Sequence, residues 1–419
     1  MMIWGALAVA WIAMTGEVEL GHQAFRDGRF EQAEQLLTEA LADPDVPNAD
    51  RGRVLLARIA AASGDGQAMA EHLAEIDALA SDDPYVLFWT ADLISDRERM
   101  RALLERYIEI APEEQADWVE AARGRLRLDA ALGDREIWRR SDAPETITLP
   151  LRMSWDDRGR ILGFIIEVQL GEKKKPVKLM LDTGSTGLFL VERVAKKHGA
   201  EWLSEETAFG GGGDKRHRNR RGILSQLRVG DLRYEEVLVG TTRRELEPYG
   251  RYHGLIGIQA FRGYAMQLDL VRQQLLLRRI DEAQESTEQG QPYWMISGQM
   301  LVRAAADGAQ EGLFLFDTGA SWSILGSRYA ATIEGTQQQA TRDVRGFGGK
   351  VEGASIVEGA TVRFDGQSSR GEALRAFDLS LRSAVADVTI SGFVGLDLMM
   401  ENRVEIDTMA QRVRLVTAD

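Results

Sequence analysis

Apolar and small side chains recur along the first third of the chain at helical spacing. Ala33, Leu36, Leu37, Ala40 and Leu41 stand at i, i+3, i+4, i+7 and i+8. Leu103, Leu104, Tyr107, Ile108 and Ala111 draw the same stripe. Proline is absent from inside these stretches and follows them at Pro44, Pro84 and Pro112, where a residue without an N–H ends a helix. The pattern predicts helical hairpins over residues 17–140. Residues 141–150 hold two prolines and no helical period, which predicts a linker. Beyond it the period changes from 3.6 to 2. Ile161 to Leu170 is rich in branched residues, Val177 to Leu181 alternates, and glycine-containing turns recur, which predicts short strands of an all-β region. The fold class expected is therefore α + β and multidomain, helical hairpins first and strands after.

The helical part has finer structure. Leu20, Gly21, Ala24, Gly28, Phe30, Ala33, Leu37, Ala40 and Asp43-Pro44 resemble a tetratricopeptide repeat, in which small residues let two helices cross closely. A second copy runs from Leu56 and Ala57 through Gly64, Met69, Leu73 and Ile76 to Pro84. The resemblance implies either a plain bundle or a groove that binds a protein partner. Ahead of it, Met2 to Met14 is an apolar run too short to span a bilayer and suited to the core of a secretory signal. Residues 1–16 are expected to be that signal, making the protein periplasmic or secreted. The other reading is an apolar first helix, with the protein cytoplasmic.

The β region repeats itself. Leu179-Met180-Leu181-Asp182-Thr183-Gly184-Ser185 has its counterpart in Phe314-Leu315-Phe316-Asp317-Thr318-Gly319-Ala320, and a second apolar stretch follows each, Leu188 to Val191 and Ile324-Leu325. At nearly equal offsets come a glycine cluster (Gly210 and Gly211; Gly346, Gly348 and Gly349), then Leu255-Ile256-Gly257 or Phe393-Val394-Gly395. Each copy closes on a strand-like segment, Gln267 to Leu277 and Val404 to Val416. These features in one order make a duplication, with a first lobe expected at 151–283 and a second at 284–419.

A carboxylate at the end of an apolar strand, followed by Thr and Gly, emerges from a buried sheet into a turn. Two such turns related by a pseudo-twofold axis would set Asp182 and Asp317 within a few ångströms, where both cannot ionise cheaply. They would share a proton, one carboxyl deprotonating a water while the other polarises a carbonyl. Thr183 and Thr318 can lock the turns, and the Ser185 hydroxyl can bond its neighbouring carboxylate where Ala320 cannot. In these motifs residues 145–419 resemble the aspartic peptidases of the retropepsin and pepsin type. The resemblance implies a single-chain, two-lobed acid-protease fold and an endopeptidase acting through Asp182 and Asp317. Thr183, Gly184, Ser185, Thr318, Gly319, Ala320, Gly257 and Gly395 would support the active-site loops. Phe209, Gly210, Gly211, Gly346, Phe347, Gly348 and Gly349 would lie in flaps over a peptide or protein substrate. The alternative is a scaffold that holds a peptide without cutting it.

Composition narrows the chemistry further. With 51 basic and 65 acidic side chains the net charge is −14, which disfavours nucleic acid as a partner. There is no Cys, so thiol nucleophiles and Cys-ligated metals are excluded. His22, His72, His198, His217 and His253 show no metal-binding spacing, and there is no P-loop or dinucleotide fingerprint. No cofactor is expected. Asp269, Asp397 and Asp407 read as strand-end or cap residues. The basic run from Asp214 to Arg221, beside the first glycine cluster, reads as a solvated hairpin tip, as a lure for acidic substrates or as a site cut during processing.

Overall fold

The computed structural model describes residues 16–155, 159, 161–208, 217–242, 252–280, 289–333, 337–339, 344–346, 349–351, 353–369 and 373–417. The apolar run Met2 to Met14, the flap positions Phe209, Gly210, Gly211, Phe347 and Gly348, and residues 214–216 of the basic run lie outside them. The chain divides into two compact units, residues 1–126 with 387–389, and residues 127–386 with 390–419.

The first unit is helical. Its hairpins pair Glu17–Arg26 with Phe30–Leu41, Ala49–Ala62 with Gly66–Ala74, and Pro84–Leu93 with Arg97–Ile110. Gly28 and Gly64 turn the first two at positive φ, 73° and 82°, a region where a side chain is strained. Gly21 lets the first helices close on each other: a Cβ there would stand 2.5 Å from the Leu37 side chain. Aspartates cap the later helices, Asp65 accepting from the Ala68 N–H, Asp83 from Tyr85 and Asp96 from Arg99. Pro84 opens a helix rather than ending one, because the first turn has no use for its missing N–H.

At the heart of this unit Arg58, buried, donates from Nη1 to Asp387 Oδ2 at 2.6 Å. The Tyr85 hydroxyl donates to the same oxygen at 2.8 Å, and Arg26 Nε to Oδ1 at 2.9 Å. The Arg58 guanidinium lies 3.6 Å from the Trp89 ring centroid and 4.5 Å from that of Phe25.

The second unit is built twice on one plan. In the first lobe, strands stand side by side in the order Leu188–Val191, Gly254–Ile256, Val177–Leu181, Ile161–Leu170. In the second, Ile324–Gly326, Ile390–Val394, Gly312–Phe316 and Gln299–Ala306 take the same order. In both, the strand that leads into Asp182 or Asp317 runs parallel to the strand that ends before Gly257 or Gly395. Such parallel neighbours need a long crossover, which the stretches between them supply. Their inward side chains, Phe164, Leu181, Phe314 and Phe316 among them, form one continuous core.

Two domain expectations are corrected here. Residues 141–150 are not a linker: Arg139–Asp142 pairs with Leu232–Thr242, and Thr146–Pro150 pairs with Gln274–Arg279. Pro150 ends its strand, where an absent donor is harmless. Nor do the lobes part cleanly at 283. Tyr264–Asp269 of the first pairs antiparallel with Asn402–Asp407 of the second, with Gln267 opposite Glu405. The flanking strands repeat symmetrically about that pair, Gln274–Arg279 then Thr146–Pro150 on one side, Arg412–Thr417 then Gln291–Ile296 on the other. This shared sheet ties the lobes together.

Candidate active site

Each apolar strand delivers its aspartate to the same place. The Asp182 N–H donates to the Ile256 carbonyl and the Asp317 N–H to that of Val394, both at 3.0 Å, so each carboxyl emerges at the rim of two buried parallel strands. The turns that follow are interlocked. The Thr183 hydroxyl donates to the Phe316 carbonyl at 2.5 Å and accepts from the Thr318 N–H at 3.0 Å. The Thr318 hydroxyl reciprocates, donating to Leu181 O at 2.8 Å and accepting from the Thr183 N–H at 3.1 Å. Both threonines are wholly buried. A buried hydroxyl must find partners, and here each finds them only in the opposite turn. Thr183→Val should therefore cost about 1–3 kcal/mol of stability by leaving the Phe316 carbonyl and the Thr318 N–H unpaired. A falling Tm of the β unit, with helical content unchanged, is the expected result.

The glycines are required by approach. A Cβ on Gly184 would stand 2.7 Å from the carboxyl carbon of Asp317, and one on Gly319 2.8 Å from that of Asp182. Each turn thus faces the other's carboxyl. Each glycine N–H also bonds its own loop's aspartate, Gly184 to Asp182 Oδ1 at 2.9 Å and Gly319 to Asp317 Oδ1 at 2.8 Å. Gly257 and Gly395 pass behind the turns: a Cβ would come within 2.2 Å of the Ser185 carbonyl oxygen and 2.4 Å of the Trp322 carbonyl carbon.

The aspartates lie within hydrogen-bonding reach of one another. Burial, followed by the charge of Asp317 and its hydrogen bond, pushes Asp182 well above the usual carboxylate range. Burial also raises Asp317, against the pull of the Arg382 charge and the Gly319 and Ala320 N–H groups. The pair keeps a proton where isolated carboxyls have lost theirs, and that titration belongs to the two carboxyls jointly.

Among the described residues no bond joins the Ser185 hydroxyl to Asp182; the Ser185 N–H donates instead to the Asp182 carbonyl at 3.1 Å, as Ala320 does to Asp317 at 3.2 Å. The residue two beyond Gly257 and the one two beyond Gly395 take up the support. Asp397 Oδ1 accepts from the Ser323 N–H at 2.7 Å and hydroxyl at 2.8 Å, while Gln259 Oε1 accepts from the Gly187 N–H at 3.2 Å. Asp269 and Asp407 bind turn N–H groups. Of the flap positions, Gly346 pairs with Gly349 in a hairpin of Val344–Gly346 with Gly349–Val351. In the first lobe Glu201–Ala208 pairs with His217–Val229, bringing Ala208 opposite His217. The basic run enters this strand, where Arg220 bonds Glu205 and Glu192, both at 2.9 Å.

Sequence reasoning missed Arg382. It sits on the short helix Ser380–Ala386, its guanidinium 5.3 Å from the Phe393 ring centroid, and its charge reaches both aspartates. Its Nη1 is buried and has no hydrogen-bond partner among the described residues. Nothing in the local pattern around it distinguishes it from arginines on the surface.

These features define an aspartic protease-like fold with a paired-carboxyl site. Residues 166–260, the first lobe's central strands and its Asp182 turn, match the family model described as aspartyl protease. Among curated proteins none matches the chain. Among solved structures, an aspartic proteinase from Irpex lacteus is similar at 11% identity and a TM-score of 0.41, over 65% of this chain and 98% of that one.

Proposed function

We propose that the protein is an aspartic endopeptidase that hydrolyses peptide bonds with a water held between Asp182 and Asp317. The observation that carries this reading is the mutual lock of the two Asp-Thr-Gly turns, which sets each turn's glycine against the other turn's carboxyl. The ionised carboxyl of the pair takes the proton of the water. Its protonated partner donates to the carbonyl oxygen of the scissile bond, and the resulting diol collapses as a proton passes to the leaving amine. An extended substrate would add as a strand to the paired segments Val344–Gly346 and Gly349–Val351.

The test is cleavage of a peptide library from acidic to neutral pH, with and without a statine-type inhibitor whose hydroxyl mimics the diol. Cleavage blocked by the inhibitor supports the enzyme; inhibitor-insensitive peptide binding without cleavage would leave the scaffold reading. Arg382 sets a further expectation. Its positive charge lowers both aspartates, so Arg382→Met raises both, and the bell of activity against pH should move bodily to higher pH. A bell that narrows, or stays in place, would show that the guanidinium does not act on the pair.

A further inference from the structure

A cavity of about 780 Å³ opens at the far end of the strand that leads to Asp182. Lys178 lies near the start of that strand, and at about 3.3 Å per residue it stands roughly 13 Å from Asp182 along the chain. Arg152, Lys175, Lys178, Arg193 and Lys197 line the cavity with His253, a concentration of positive charge on a chain whose net charge is −14. Glu167 stands 3.7 Å from Arg152 and lies opposite Lys178 in the sheet, but among the described residues no carboxylate comes within ion-pair distance of Lys175, Lys178 or Lys197.

The imidazole is seated for donation. The Lys178 N–H donates to His253 Nδ1 at 3.1 Å, which puts the neutral ring's proton on Nε2. The His253 backbone is pinned on both sides, its N–H to Lys178 O at 2.7 Å and its carbonyl to the Val191 N–H at 2.9 Å. Ser154 lines the same cavity, is 4% exposed, and its hydroxyl has no partner among the described residues. An orphaned buried hydroxyl is costly unless a ligand completes it. Met153, Ile165 and Val194 add apolar wall between the charges.

We propose that this cavity is a second binding site, separate from the paired carboxyls, for a small ligand that carries clustered phosphate groups on an apolar body. The lysines and arginines engage the phosphates, His253 and Ser154 donate to their oxygens, and the apolar wall takes the body. A soluble phosphorylated metabolite and a phosphate-bearing lipid headgroup share this chemistry, so the test has two arms.

Inorganic tripolyphosphate is titrated calorimetrically into the full chain, and co-sedimentation is measured with phosphatidylcholine vesicles with and without phosphatidic acid. Binding in either arm is expected to fall with added salt. It should weaken about tenfold or more in Lys178→Gln and in the double variant Arg193→Gln with Lys197→Gln, each lost ion pair in a partly buried site contributing on the order of 1.4 kcal/mol. Peptide cleavage by these variants should match the parent, which separates this site from the catalytic reading. Tripolyphosphate binding alone identifies a soluble ligand, and vesicle binding alone a headgroup. Binding of neither probe, or binding undiminished in both variants, overturns the proposal.

Discussion

Asp182→Asn is expected to lower kcat for peptide cleavage by about 10³-fold or more, the scale on which positioned proton transfer contributes to catalysis. The substitution is isosteric and keeps the Gly184 N–H bonded to an oxygen, so the turn survives and only the shared proton is lost. Asp317→Asn should cost as much, and the double variant little more than either single one, because a pair that works as a unit is lost once. Stability should move the other way. Both aspartates have folded pKa values above the unfolded carboxyl value, so the native state binds protons that the unfolded chain has released. As pH rises through that interval stability falls, and the dyad is a liability at neutral pH. The variants should therefore melt at or above the parent Tm at neutral pH, the gain shrinking toward the acid side, where the parent carboxyls are protonated in both states. Full cleavage by either variant would remove the two-carboxylate mechanism.

The second large effect belongs to the helical unit. Asp387→Asn is expected to destabilise it by about 3–5 kcal/mol, the penalty of taking the Asp387 counter-charge away from the buried Arg58 guanidinium. Asn is suited to the control, since position 387 has φ 54° and Asn tolerates that region. Arg58→Met combined with Asp387→Asn should recover part of the loss, because the buried cation goes together with the carboxylate it faced. Burial alone would raise the Asp387 carboxyl, but the His22 hydrogen bond and the Arg58 charge overcome it and hold the group well below the usual range. Its stabilising contribution is thus complete above the unfolded value of about 3.9 and is lost as pH falls below it. The parent's helical unit should melt progressively earlier below that pH, and Asp387→Asn should flatten the dependence. Thermal melts followed by far-ultraviolet circular dichroism across acidic pH give both results.

Much of this architecture is legible along the chain. The helical stripe through Ala33, Leu37 and Ala40 is the buried face of its helix, since a side chain's depth there follows from the turn of the helix alone. The paired Asp-Thr-Gly turns and the trailing Gly257 and Gly395 can be read as spacing, because a repeated close approach of backbone demands the same small residues twice. Pro84 misleads: proline marks a helix boundary without saying which side of it the helix lies on. Residues 141–150 mislead for a different reason. Their strands are stabilised by partners such as Gln274–Arg279, far along the chain, and a short segment carries little of that in its own composition.

What the linear order of residues encodes is therefore each element's own periodicity and the duplicated turns that carry the carboxyls. Which distant groups meet was settled by folding. The Arg382 charge beside the dyad, the Arg58–Asp387 pair joining residues 329 positions apart, and the basic cavity at the rear of the Asp182 strand all arise this way. Pairing of that kind depends on how sheets and helices close in space, and an arginine bound for a buried site carries the same local signature as one that stays in water.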